Sequence, residues 1–277
     1  MNLNNALKKA ARFVLAAGQA PVHITVGAVS PSGMLAGRHI VITGGGSGIG
    51  LAMARKFVSQ GASVLIAGRN KEKLEKAVSS LGGNAQYLVF DVSKVENDCD
   101  FVVRAESILG GFDGLVCNAG LSLHEGDFRH VTPDKFDAQF NTNFRGAYFL
   151  AQTFLEHLEE HKRQGDLLFI SSETADHAVD IPYGLTKSAV NCLVGGGLSR
   201  KLYAKGIRVN AIAPGVTATA MTKNYADVSD GNYANESHAG RVFLPEEVAE
   251  VACFLMSNAS RCISGEVIHV NGGNHLG

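Results

Sequence analysis

Thr43-Gly44-Gly45-Gly46-Ser47-Gly48-Ile49-Gly50 follows the β-branched run His39-Ile40-Val41-Ile42 and leads into the amphipathic stretch Leu51-Ala52-Met53-Ala54-Arg55-Lys56-Phe57-Val58. A strand, a glycine-rich turn and a helix in that order are what a bound pyrophosphate requires. Glycines at 44, 48 and 50 let the backbone turn tightly and come close to a ligand, and the helix N-terminus presents unpaired N–H groups at the positive end of its dipole. Gly44, Gly46, Ser47, Gly48, Ile49 and Gly50 are therefore candidate ligands to a dinucleotide. Glycine turns are common, so the flanking strand and helix carry the argument more than the glycines do.

Outward from this turn, apolar runs alternate with helix-length amphipathic segments, the rhythm of βαβ units around a buried parallel sheet. The pattern predicts strands over 39–43, 63–67, 85–90, 114–117, 167–171, 208–212 and 267–270. Helices fit between them over 48–60, 71–80, 95–109, 133–162, 183–204 and 245–257. Right-handed crossovers then give a doubly wound α/β sheet with ligand sites at the carboxyl ends of its strands. One domain over residues 37–277 accounts for the length and the 45% hydrophobic content.

Residues 1–36 read as an extension, an amphipathic helix followed by a connector around Val29–Gly33. The apolar stretch Phe13–Ala17 behind Lys8, Lys9 and Arg12 is too short for a signal peptide, although the lack of acidic residues before Glu72 is also the composition of a transit peptide. With 25 basic and 26 acidic residues, no electrostatic case exists for nucleic acid or a membrane surface as partner, and a small molecule is expected. No apolar run approaches the roughly 18 residues of a membrane span. Cys99, Cys117, Cys192, Cys253 and Cys262 include no C-x-x-C pair, and the histidines show no metal-ligand spacing, so reduced thiols in a cytoplasmic protein without a metal site are expected.

Tyr183 and Lys187 lie four residues apart on a predicted helix, one turn from each other on one face. A free phenol has a pKa of about 10, and a cation held beside it favours phenolate and eases proton exchange near neutrality. Two residues at this spacing are common in long chains, and a solvated Tyr/Lys face is the plain alternative. Gly68-Arg69 stands about 20 residues beyond the glycine turn, where a ribose-binding acid would lie in an NAD enzyme. With Lys71 and Lys73 following, the local charge suits a 2′-phosphate, so NADP(H) is preferred and NAD(H) is the alternative.

The TGxxxGxG spacing resembles the short-chain dehydrogenase/reductase family. Further matches follow in that family's order: Asp91-Val92, Asn118-Ala119-Gly120, Asn143, Ser172, Tyr183-x-x-x-Lys187, Pro214-Gly215 and the closing Asn271-Gly272-Gly273. The likeness covers residues 36–275 and includes 3-oxoacyl-acyl-carrier-protein reductase-like members. It implies a seven-stranded Rossmann sheet with helices on both faces, and reversible carbonyl/alcohol interconversion. By that resemblance Asp91 accepts from the adenine amino group, Asn118 braces the sheet beside the ribose, and Pro214-Gly215 steers the chain past the nicotinamide, with Thr217 and Thr219 nearby.

Ser172, or its neighbour Ser171, would orient the substrate oxygen beside Tyr183, because the segment before Tyr183 is two residues shorter than is usual. Asn143, with Asn141 the lesser candidate, would bind a water in a proton relay. Cys117 stands where the family usually has asparagine. The chain is expected to form a homotetramer or dimer through helices 133–162 and 183–204, with residues 219–243 as a substrate lid bearing Met221, Tyr225, Tyr233 and Phe243. Glu173, Asp176 and His177 are candidate pocket residues. Competing readings are a catalytically silent NADP(H) sensor and enoyl reductase chemistry.

Overall fold

The computed structural model describes residues 33–177, 180–222 and 238–276. Most of the N-terminal extension and residues 223–237, with Tyr225 and Tyr233, lie outside the described residues. Strands β1 (His39–Thr43), β2 (Ser63–Gly68), β3 (Ala85–Val89), β4 (Gly114–Cys117), β5 (Gly165–Ile170), β6 (Ile207–Pro214) and β7 (Val267–Val270) form one sheet in the order 3-2-1-4-5-6-7. Every pairing is parallel. The order reverses between β1 and β4, where a crevice opens at the carboxyl ends of the strands.

The strands are β-branched and leucine-rich because both faces are covered, and their alternate side chains enter two different cores. Val41, Leu65, Leu115, Leu167, Phe169 and Val209 pack beneath α3 (Asp98–Leu109), α5 (Gly146–Glu160) and α6 (Pro182–Cys192). Ile40, Ile42, Val64, Ile66, Leu168 and Ile212 pack beneath α1 (Gly48–Ser59), α2 (Lys71–Leu81) and α8 (Pro245–Leu255). Each fully buried side chain of this kind contributes about 1.5–3 kcal/mol.

The predicted long helices are interrupted. Residues 133–160 comprise α4 (Pro133–Phe140), a π-helical turn Asn141–Arg145 and then α5. Pro133 at the first position and the Thr132 hydroxyl accepting from Lys135 N (3.3 Å) start α4. At the end of the π turn, Gly146 presses against the Val92 carbonyl so closely that no Cβ would fit. A second π-helical turn, Leu193–Leu198, separates α6 from the short α7 (Ser199–Leu202).

At the other end of the sheet from the crevice, Asp166 accepts from two arginines. Its Oδ2 is 2.7 Å from Arg38 Nη2 and its Oδ1 is 2.7 Å from Arg208 Nε. Arg38 also pairs with Asp113 at 2.8 Å, and Arg208 donates to Ser260 O at 2.8 Å and Ser257 O at 3.1 Å. This cluster ties the starts of β1, β4, β5 and β6 to the turn after α8.

Candidate active site

The glycine turn is built for close approach. Gly44 has φ of +67°, and a Cβ there would sit 2.9 Å from Asn118 Nδ2 and 3.0 Å from Ala119 Cα. Asn118 donates to Thr43 O at 2.8 Å, and the Thr43 hydroxyl accepts from Asn118 N (3.0 Å) and Ala119 N (3.1 Å). Asn118 and Thr43 thus lash the end of β1 to the end of β4, a bracing role for Thr43 that glycine spacing alone does not reveal.

Ser47 caps α1 with extended backbone and no side-chain hydrogen bond to the helix, and the first turn carries no acidic residue. These exposed N–H donors and the Cβ-free surface fit a dinucleotide pyrophosphate.

The cleft that opens here has a volume of about 1050 Å³. Its walls bring together Gly44, Ser47, Gly48, Ile49, Gly50, Asn118, Ala119, Gly120, Ser172, Tyr183, Lys187, Pro214, Gly215, Thr217 and Thr219. Gly46 lies at the outer edge of the turn facing α2, 3.4 Å from Leu74 when given a Cβ. Arg69 is exposed at the end of β2, outside the cleft wall, next to Asn70, which caps α2 by accepting from Lys73 N at 2.8 Å. Asp91 Oδ1 accepts from Ser93 N (3.0 Å) and Ser93 Oγ (2.8 Å), so one carboxylate oxygen is spent on the turn. Val92 is buried beneath Gly146.

Tyr183 is half-buried and Lys187 is 4% exposed. Pro182 at the first helical position fixes where α6 begins, so both side chains face the cleft one turn apart. Lys187 Nζ lies 5.7 Å from the Tyr183 ring centroid and donates to Ile170 O at 2.7 Å, at the end of β5. Burial pushes the Lys187 ammonium down to about 8. A proton on this lysine is therefore held less tightly than on a free one, yet is still largely present at neutral pH.

The two serines divide their work. Ser171 Oγ donates to Asn191 Oδ1 at 2.6 Å and ties β5 to α6, whereas Ser172 Oγ donates to Thr174 Oγ1 at 3.0 Å and accepts from Thr174 N at 3.2 Å. Asn143 is 2% exposed within the π turn. Its amide donates to Leu121 O (2.8 Å) and Thr186 Oγ1 (3.2 Å), and its Oδ1 accepts from Leu121 N (2.7 Å). A Cβ on Gly120 would be 3.7 Å from both Asn143 Oδ1 and Lys187 Nζ, which places these groups around one point.

Other expected residues separate. Glu173 and His177 reach the cleft wall, but Asp176 turns to His269 Nε2 at 2.8 Å. Phe243, expected on a closing surface, is 6% exposed, and its backbone pairs with Val216 O and Ala218 N. Met221 does line the cleft. Cys117 is buried, its thiol pushed up by burial and 3.8 Å from Ala147 O, consistent with a packing role. Among the described residues no cluster of potential metal ligands is present and no helix is long and apolar enough to cross a membrane.

The sequence also omitted Glu125. It is 6% exposed, lines the cleft, and accepts from Gln139 Nε2 at 2.8 Å. Its place just past the carboxyl end of β4, where ligand sites form, was the available signal.

Comparison with known proteins agrees with this geometry. The family model described as enoyl-(acyl carrier protein) reductase matches residues 44–275. The 2,5-dichloro-2,5-cyclohexadiene-1,4-diol dehydrogenase of Sphingobium indicum is 32% identical over 86% of this chain and 97% of its own. Gluconate 5-dehydrogenase of Gluconobacter oxydans is 32% identical over 86% of this chain and 95% of its own. The crystal structure of a 3-ketoacyl-(acyl-carrier-protein) reductase from Brucella melitensis, complexed with NADH, superimposes with a TM-score of 0.81. It has 30% identity and covers 87% of this chain and 99% of that one.

Proposed function

The chain belongs to the short-chain dehydrogenase/reductase family, and on that premise we propose that it interconverts a carbonyl compound and a secondary alcohol with NADP(H), using Tyr183 as acid and base. The observation that carries the reading is the buried Lys187 ammonium, 5.7 Å from the Tyr183 ring on the wall of a cleft that begins at the glycine turn. The bound dinucleotide supplies or accepts the hydride.

Tyr183 gives its phenolic proton to the carbonyl oxygen in reduction and takes it back in oxidation. Lys187 favours the phenolate. The Ser172 hydroxyl, steadied by Thr174, donates to the substrate oxygen and stabilises negative charge developing there. With its side chain occupied by Leu121 and Thr186, Asn143 offers its main-chain carbonyl to a water that passes protons from Lys187. Asp91 retains Oδ2 for the adenine, and Thr217 and Thr219 border the nicotinamide. Residues 37–277 form the catalytic domain. A silent sensor would have no use for a buried lysine beside a phenol. Enoyl reduction is the poorer reading, because the two relatives named above are dehydrogenases of alcohols. The unpaired cysteines favour a cytoplasmic setting.

Arg69, exposed where the adenosine ribose would end, selects the 2′-phosphate. Wild-type kcat/KM should favour NADPH over NADH, and Arg69→Ala should reduce that ratio by about ten- to hundredfold, the worth of one charge-assisted hydrogen bond. Equal use of both cofactors by the wild type overturns the assignment.

Assembly follows from an aromatic row at four-residue spacing along α4, the π turn and α5: Phe136, Phe140, Phe144 and Tyr148. Phe136 and Phe140 stack at 4.3 Å, and Phe136, Tyr148, Phe149 and Leu185 remain 38–42% exposed. An apolar patch of this kind favours a homodimer or a tetramer built from dimers. Light scattering at micromolar concentration should give at least twice the chain mass, and a monomer would count against it.

A further inference from the structure

We propose that Glu125 is the substrate-recognition residue of this cleft and that it selects neutral polyhydroxy or hydroxycarbonyl compounds, accepting a hydrogen bond from a hydroxyl adjacent to the reacting carbon. The inference rests on the carbonyl/alcohol chemistry proposed above and names its substrate class.

Glu125 is 94% removed from solvent by the measure that gives it 6% exposure, yet it forms part of the cleft wall with Tyr183 and Ser172. Gln139 holds Oε1 at 2.8 Å, while Oε2 is buried with no hydrogen-bond partner. A buried carboxylate oxygen with no donor is costly, and a ligand hydroxyl that donates to it removes that cost.

Its position is fixed rather than fortuitous. Gln139 and Asn143 lie four residues apart on one helical face, and both are almost fully buried. Asn143 grips the backbone of Leu121 on both sides, and Gln139 accepts from Leu123 N at 3.3 Å while donating to Glu125. The loop from Leu121 to Glu125 is thus laced to the same helix that helps set the proton-handling groups. His124, between the two grips, adopts a left-handed backbone with φ of +53°. Strain of that kind persists where the surroundings enforce it.

Charge in the cleft decides which substrates fit. Glu173 is a second buried carboxylate on the wall, Lys187 is the buried cation, and His124, His177 and His238 are exposed at the rim. A substrate carboxylate beside Glu125 would meet like charge in a poorly solvated site, whereas a hydroxyl donates to it directly. A plain alcohol leaves Oε2 unpaired.

The test uses full-length enzyme and a four-carbon series: 2-butanol, 2,3-butanediol, erythritol, 3-hydroxybutyrate and 3-amino-2-butanol. Oxidation is followed by nicotinamide absorbance, and binding to the NADP(H)-loaded enzyme by calorimetry, which needs no turnover. Wild type should favour 2,3-butanediol and erythritol over 2-butanol by about ten- to hundredfold and reject 3-hydroxybutyrate. Glu125→Gln should erase most of the diol advantage and relax rejection of the anion, in Kd as in kcat/KM.

An unchanged diol-to-alcohol ratio in Glu125→Gln, no diol preference in wild type, or tighter binding of the amine than of the diol would each overturn the proposal. Turnover of any of these alcohols that Tyr183→Phe abolishes would leave the oxidoreductase reading standing regardless. Absence of nicotinamide-linked turnover with polyol binding intact would count against that reading alone.

Discussion

Tyr183→Phe is expected to lower kcat by about a hundred- to ten-thousandfold, the range supplied by a positioned general acid, while the Kd for NADPH stays unchanged. The substitution keeps the ring beside Lys187 and the Tyr183 carbonyl that accepts from the Thr186 hydroxyl at 2.7 Å, removing only the phenolic oxygen. Lys187→Ala should differ in kind. It abolishes the bond to Ile170 O and the cation in the cleft, so turnover and cofactor binding should both suffer. Single-turnover absorbance and fluorescence titration separate the two effects. Wild-type kcat in the Phe variant would remove Tyr183 from the mechanism.

Asp166→Ala should produce the largest loss of stability, about 3–5 kcal/mol, because it strands two guanidinium groups that share one nearly buried carboxylate. Burial works against the Arg38 charge, but Asp166 and Asp113 outweigh it and hold the guanidinium above its ordinary value. Arg208, 7% exposed, keeps only carbonyl and hydroxyl partners once Asp166 is gone. Urea unfolding should show a lower midpoint at unchanged slope. The cluster sits at the opposite end of the sheet from Tyr183, so enzyme that remains folded should retain its kcat. A stability change below about 1 kcal/mol would mean that the arginines find other partners.

Most of the architecture was legible because buried parallel strands announce themselves. β1, β4 and β7 fall on their predicted residues, and the other strands differ by a few residues at their ends. The helices were placed by their periodicity, but their π turns were not, since a slipped hydrogen-bond ladder depends on what presses against it. Val92 against Gly146 is such a contact, and no local pattern encodes it.

The same distinction runs through the candidate site. Glycine, tyrosine and lysine positions could be read from spacing because each belongs to one continuous segment. Glu125 could not, because its meaning comes from Gln139, fourteen positions away on another element. Nor could spacing divide Ser171 from Ser172. Asn191, on α6, occupies the first and leaves the second at the cleft with Thr174.

The π turn at Asn141–Arg145 makes this chain intolerant of length changes in a way its composition does not advertise. An expanded turn is the geometry of a helix carrying one surplus residue. Deleting that residue would restore regular winding and swing everything beyond it by about 100° around the helix axis. Leu150, Phe154 and Leu158 would then rotate out of the core that they fill, and Tyr148 away from the aromatic row. Homologous chains can therefore exchange side chains freely along this helix, but a one-residue gap within it would have to be matched by a compensating insertion before α5.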